Sequence, residues 1–157
     1  MDEAVKVIAL LTEQGKTIVT AESCTGGLLG AILTEVPGAS KVYLGGIISY
    51  AYELKERCLG VDHGLLEEKG AICPEVAVQM AQGARERLCA DYALSVTGNA
   101  GPGTDPMNPN VGEIYIALAT DGDCVVKCLD LQGDRGANRL SACCESLRLL
   151  LQKIENE

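Results

Sequence analysis

The sequence contains no tryptophan, no phenylalanine and a single histidine. Five tyrosines are its only aromatics, so the core must come from Leu, Ile, Val, Ala and Met. Ring stacking cannot organise it. None of the eight cysteines, at positions 24, 58, 73, 89, 124, 128, 143 and 144, forms a CxxC pair, and His63 has no second histidine to join it. No Cys/His ligand set is visible, so no metal is expected. The thiols read as buried packing groups rather than disulfides. Long apolar runs are also missing. The start is acidic, and the longest early run, Val7 to Leu11, is too short for a signal or membrane segment. A cytoplasmic protein with no membrane contact is expected. Basic residues are scarce, 13 against 22 acidic, for a net charge of −9. Such a surface repels phosphate backbones, which argues against nucleic-acid partners. A single phosphate ligand remains compatible, because a few N–H groups and cations can hold one locally.

What is present suits one domain spanning residues 1–157. The length supports one sizeable core, and a hydrophobic share of 47% is too high for a disordered chain. Ala4, Val5, Ile8 and Leu11 recur at helical spacing up to Gly15. Thr17 to Thr20 reads as a buried strand, and Leu28 to about Glu35 as a helix closed by Pro37-Gly38. Leu44 to Tyr50 reads as a strand, residues 53–58 as a short helix, and Pro74 onward as a longer helix with Val76, Met80, Ala84 and Leu88 on one face. Tyr92 to Thr97 is a third strand. After a loop over 98–110, Val111 to Ala119 and Cys124 to Leu129 pair through an Asp121-Gly122 turn. A last helix covers roughly 134–155. Strands separated by helices predict parallel pairing, and the late hairpin adds an antiparallel member. The expected fold is a three-layer α/β/α sandwich with a mixed, mostly parallel sheet of about five strands.

Three segments carry chemistry. In Ala21-Glu22-Ser23-Cys24-Thr25-Gly26-Gly27 a strand feeds straight into a helix. That junction exposes N–H groups to an anion or oxyanion, or it is a plain helix start capped by Ser23 or Thr25. In Gly45-Gly46-Ile47-Ile48-Ser49-Tyr50 the paired glycines permit close backbone approach. Lys55 follows five residues later, as an ordinary surface lysine or, if removed from water, as a base. Thr97-Gly98-Asn99-Ala100-Gly101-Pro102-Gly103-Thr104 has GxxGxG spacing and no GK[ST], so both common nucleotide motifs fail. A Gly-rich loop at a strand end remains, which is where α/β sheets bind ligands. His63, in a polar stretch that reads as a turn before a helix, suits a surface role. A serine hydrolase built from this chain would therefore need Lys or Tyr as its base.

Together the segments resemble one family, the carboxy-terminal domain of CinA (competence-damage-inducible) proteins, which includes nicotinamide-nucleotide amidases. The resemblance runs from about residue 3 to 155. TAESCTGG (20–27) is intact. GG-I-I-S-Y with Lys55 and Leu59-Gly60-Val61 resembles a second motif, TGNAGPG (97–103) a third, and Gly133-Asp134-Arg135 with Arg139 the last. Pro109 and Val111-Gly112 also fit.

The resemblance implies hydrolysis of the carboxamide of nicotinamide mononucleotide to nicotinate mononucleotide and ammonia, with no cofactor or metal. It implies Ser23 as nucleophile, Lys55 as base and Tyr50 as an assisting hydroxyl. Thr25, Gly26, Gly27, Gly46, Gly98, Ala100, Gly101 and Arg135 would bind substrate. Arg135 could equally form a salt bridge that anchors the last helix. The expected partner is a small-molecule nucleotide, and a homo-oligomer is expected. The chain looks like the family's stand-alone form. Ala51 and Tyr52 stand where the family usually has Ser-Asn, and Asn99 and Thr104 where it usually has an apolar residue and often glycine. Two other readings remain: a non-catalytic nucleotide-binding protein, and an enzyme using Cys24, since thiolates are activated at helix N-termini.

Overall fold

The structure is a computed structural model that describes residues 2–157. Helix α1 (Asp2–Gln14) leads into strand β1 (Ile18–Glu22), helix α2 (Leu28–Thr34), a 3₁₀ turn (Ala39–Lys41) and strand β2 (Tyr43–Ile48). Three helices follow: α3 (Tyr52–Leu59), α4 (His63–Lys69) and α5 (Pro74–Leu88). Strands β3 (Tyr92–Gly98), β4 (Glu113–Thr120) and β5 (Asp123–Asp130) precede the long helix α6 (Arg135–Glu155). The expected elements are there, with one addition. The stretch around His63 is a short helix of its own, capped by the Asp62 carboxylate accepting from the Leu65 N–H at 2.9 Å. His63 itself lies at the surface between Glu56 and Glu67.

The sheet order is β2-β1-β3-β4-β5. β1 is parallel to β2 and β3, β4 is antiparallel to β3, and β5 is antiparallel to β4. Four strands therefore share one direction and β4 alone opposes it. Because β3 inserts beside β1 rather than extending the sheet past β2, β1 lies between two parallel strands. Its carboxyl end opens between two parallel neighbours, the position at which open α/β sheets take ligands.

The two faces pack differently. Ile18, Leu94, Val96, Ile114, Ile116 and Leu118 face α1, α2 and α6, where Leu11, Leu33, Leu147 and Leu150 meet them. The opposite face is small: Val19, Ala21, Ala93, Ala117 and Ala119 pack against Ala77, Met80, Ala81 and Ala84 of α5. Small residues on both sides let α5 lie close to the sheet, and the Ser95 hydroxyl donates to the Ala77 carbonyl at 2.6 Å across that contact. Close approach of small residues is one way to pack a core that has no Phe or Trp. No helix among the described residues is long and apolar enough to cross a membrane.

Cys24, Cys73 and Cys143 are buried as expected, but Cys89 and Cys128 are exposed. Cys89 closes α5 in the left-handed region (φ 53), where the chain turns outward. Cys128 lies on the outer strand β5, which has a neighbour on only one side.

Candidate active site

Glu22 ends β1, and Ser23 continues it by one more rung, its N–H bonding the Val96 carbonyl at 3.0 Å. The chain then turns through Gly26 (φ 58) and Gly27 (φ 104) into α2. Both glycines occupy left-handed backbone that a side chain strains. At Gly27 a Cβ would also press on Ile48 at 3.1 Å. Neither Ser23 nor Thr25 caps α2. Gly27 stands at the N-cap position without a side chain to offer. The acceptors come from Glu22 instead. Its Oε1 takes the Leu29 N–H at 2.8 Å and its Oε2 the Gly30 N–H at 3.1 Å, with the carboxylate buried beneath the helix. The first turn of α2 is therefore closed to an external anion. In the preceding turn, the N–H groups of Cys24, Thr25 and Gly27 are engaged by no main-chain carbonyl among the described residues.

Lys55 arrives from the first turns of α3. Its side chain is fully buried, and its Nζ lies 2.9 Å from Ser23 Oγ, 2.5 Å from the Ser49 carbonyl and 3.2 Å from the Tyr50 carbonyl. No ion pair reaches it among the described residues. Burial without a bonded carboxylate penalises the ammonium form and lowers its pKa to about 8. The carbonyls orient the amine and leave Ser23 Oγ as its one hydroxyl partner. This geometry suits a neutral amine accepting the serine proton.

Tyr50 meets Lys55 through its carbonyl. Its ring is exposed, and its hydroxyl accepts from Arg135 at 3.3 Å. The side chain is therefore held at the rim by a guanidinium rather than bonded to the serine. Arg135 opens α6 and also donates to the Gly101 carbonyl at 2.9 Å. It lies beside the Gly-rich loop and, among the described residues, does not form the salt bridge considered as its alternative.

A cavity of about 340 Å³ lies over these groups, near the lower end of the ~300–1,000 Å³ range of ligand sites. Ser23, Cys24, Tyr50, Tyr52, Lys55, Gly98, Ala100, Asp105 and Arg135 line it. Several residues expected to bind substrate do not. Gly46 sits in mid-strand, where a Cβ would come 2.3 Å from Thr20 Oγ1, so its smallness serves strand packing. Thr25 is fully buried, and Gly26 and Gly27 shape the turn from below. Gly101 contributes its carbonyl to Arg135 and lies behind the lining. The Cys24 thiol does line the cavity, but burial pushes its pKa up to about 11. That removes the activated thiolate on which a cysteine enzyme would depend.

Three supports had no local signal of the bonds they make. Arg139 donates to the carbonyls of Cys24 (3.1 Å) and Thr25 (2.8 Å), bracing the turn after Ser23 from α6. Buried Asn138 donates to the Ala100 and Gly133 carbonyls, each at 3.0 Å, tying the Gly-rich loop to the start of α6. Asn99 folds the loop on itself, donating to the carbonyls of Asn108 (2.9 Å) and Asn110 (3.1 Å) and accepting the Asp105 N–H at 2.9 Å. The GDR…R pattern pointed to Arg139 only as part of a motif, and a polar residue inside a helical stripe carries no local signal of the bond it will make.

Comparison with known proteins gives the family and the fold. A family model described as the CinA C-terminal domain matches residues 2–154. A CinA-like protein of Geobacter sp. strain M21 is 45% identical over 145 residues, which is 92% of this chain and 35% of that protein. The chain spans about a third of the length of the curated relatives it matches. Among solved structures, the competence/damage inducible protein CihA from Agrobacterium tumefaciens is 35% identical with a TM-score of 0.92, covering 96% of this chain and 93% of its own. The competence damage-inducible protein A (ComA) from Klebsiella pneumoniae is 27% identical with a TM-score of 0.95, covering 98% and 96%.

Proposed function

The chain belongs to the CinA C-terminal domain family, and on that footing we propose that it is a nicotinamide-nucleotide amidase. It hydrolyses the carboxamide of nicotinamide mononucleotide to nicotinate mononucleotide and ammonia. The observation that carries this reading is the 2.9 Å approach of a buried amine, Lys55 Nζ, to the hydroxyl of Ser23 inside a ligand-sized cavity.

Ser23 Oγ attacks the carboxamide carbon as its proton passes to neutral Lys55. The tetrahedral adduct collapses when the Lys55 ammonium returns that proton to the departing nitrogen, which leaves as ammonia. Water then attacks the acyl-serine, giving up a proton to Lys55; Lys55 returns that proton to Ser23 Oγ as the ester C–O bond breaks, and nicotinate mononucleotide is released. The N–H groups of Cys24 and Thr25, which no main-chain carbonyl engages among the described residues, are the candidate oxyanion donors. Arg135, at the rim beside Gly98 and Ala100, is the candidate phosphate partner. Tyr50, whose hydroxyl touches Arg135, supports that end of the substrate. The proposal is of a cytoplasmic homo-oligomer acting on a small nucleotide, without nucleic-acid or membrane partners.

Ammonia release from nicotinamide mononucleotide by the wild-type protein, Ser23→Ala and Lys55→Ala tests it. The two variants are expected to lose activity by on the order of a thousandfold or more. Equal activity in all three would remove Ser23 and Lys55 from the chemistry. A wild-type protein that binds the nucleotide without turnover would favour the non-catalytic nucleotide-binding alternative.

A further inference from the structure

The cavity that holds the nucleophile is also lined by an aspartate that the mechanism above does not use. Asp105 lines the same cavity as Ser23 and Lys55, and no ion pair reaches it among the described residues. It is held on every side. Its N–H donates to Asn99 Oδ1 at 2.9 Å, and its carbonyl accepts from the Asn108 N–H at 3.1 Å. Its Oδ1 accepts from the Met107 N–H at 3.0 Å, and its Oδ2 from the Tyr52 hydroxyl at 2.6 Å. Tyr52 is itself positioned, accepting the Ala71 N–H at 3.2 Å. Even the space beside the pair is reserved. At Gly70 (φ +75) a Cβ would come within 3.1 Å of both Asp105 Oδ1 and the Tyr52 hydroxyl. Each carboxylate oxygen accepts one bond and has capacity for another, and both bonds hold the group in one orientation, which lowers the ordering cost of a further contact.

For the chemistry alone this carboxylate is unhelpful. Its negative charge acts on Lys55 in the direction of a raised pKa, favouring the ammonium over the neutral base. In a protein already at net −9, it also repels anionic ligands. Both effects are offset if the ligand brings a positive charge to this carboxylate. A planar cation would suit the two tyrosine rings, Tyr50 and Tyr52, that line the same cavity.

We propose that Asp105, clamped by Tyr52, is a specificity-determining residue that selects a substrate whose amide-bearing ring is positively charged. The inference rests on the amidase reading and deepens it: the cavity distinguishes the pyridinium form of the nucleotide from the neutral dihydropyridine form of otherwise similar shape. The ring charge also offsets the pull of Asp105 on Lys55, so that the base is neutral when the correct substrate is bound.

The test is calorimetric binding of nicotinamide mononucleotide and of its reduced dihydropyridine form to Ser23→Ala and to Ser23→Ala/Asp105→Asn. Turnover is removed so that only affinity is read. With Asp105 present, the oxidised form is expected to bind about tenfold more tightly, as befits one partly screened charge pair at several ångströms. Asp105→Asn is expected to bring the ratio close to one by weakening the oxidised form alone, and Tyr52→Phe to give an intermediate ratio. A ratio unchanged by Asp105→Asn, or equal weakening of both ligands, overturns the inference and leaves Asp105 as a loop support. If the parent shows no preference while the wild type still releases ammonia from the nucleotide, the amidase reading stands and charge selection falls. If neither form binds and no ammonia is released, both fall together.

Discussion

Glu22 and Leu29 are joined by a 2.8 Å hydrogen bond from the first turn of α2 to a buried carboxylate, and Gly30 adds a second at 3.1 Å. The residue just before the proposed nucleophile thus fills the helix N-terminus that would otherwise attract a phosphate. The turn carrying Ser23 is fixed between this cap below and Arg139 from α6.

Removing that cap leaves two buried donors unsatisfied. Glu22→Ala is expected to cost about 2–4 kcal/mol of stability, and Glu22→Gln, which keeps one acceptor, about half as much. Urea denaturation of the three proteins reads both values.

Lys55 makes stability depend on pH in an unusual sense. Its folded pKa is about 8, below the ordinary 10.5. Between those values the unfolded chain holds a proton that the folded chain has released, so stability rises with pH across this window. Below about pH 8 both states are protonated and the burial penalty is fully present. The rise amounts to about 3 kcal/mol. Lys55→Met is expected to flatten the profile between pH 8 and 10.5 relative to wild type, as measured by chemical denaturation at a series of pH values. The proposed activity has its own signature: kcat/KM for nicotinamide mononucleotide should climb through about pH 8 and level off above it, because only the neutral amine accepts the serine proton.

Cys24 neighbours the nucleophile yet is expected to be dispensable. With its thiol pushed up to about 11, it stays protonated at neutral pH. Cys24→Ala should retain amide hydrolysis within about fivefold. Loss of ammonia release in Cys24→Ala, with retention in Ser23→Ala, would reverse the assignment of the nucleophile.

Gly46 separates packing from binding. An added methyl would meet Thr20 Oγ1 at 2.3 Å, the Tyr43 hydroxyl at 2.9 Å and the Thr20 carbonyl at 3.0 Å. Gly46→Ala is expected to lower stability by about 1–3 kcal/mol while leaving the KM of whatever protein still folds unchanged. A raised KM at unchanged stability would instead put Gly46 in the binding site.

Much of the scaffold was legible because its signals are local. The apolar spacing of α1 and α6, Pro74 opening α5 and the Asp121-Gly122 turn between β4 and β5 each depend on neighbours within a few residues. Helix α4 was missed as a separate element because it is short and buries only Leu66, too little to show a stripe, although Asp62 marks its cap. The proximity of Ser23 and Lys55 came from motif resemblance and not from periodicity, since thirty-two positions separate them. The same route assigned Tyr50 an assisting hydroxyl; in the structure its carbonyl accepts from Lys55 and its hydroxyl from Arg135, contacts that no local pattern signals.

By itself, the order of residues determined the strands, all the helices but α4, and which turns need glycine, because these follow from the conformational limits of each residue and its nearest neighbours. Only the tertiary structure decided that β3 lies beside β1, that Glu22 caps α2, that Lys55 is cut off from water and that Tyr52 holds Asp105 against the cavity. Burial and charge at these groups depend on atoms far away in the chain, and water is excluded only once the layers have closed.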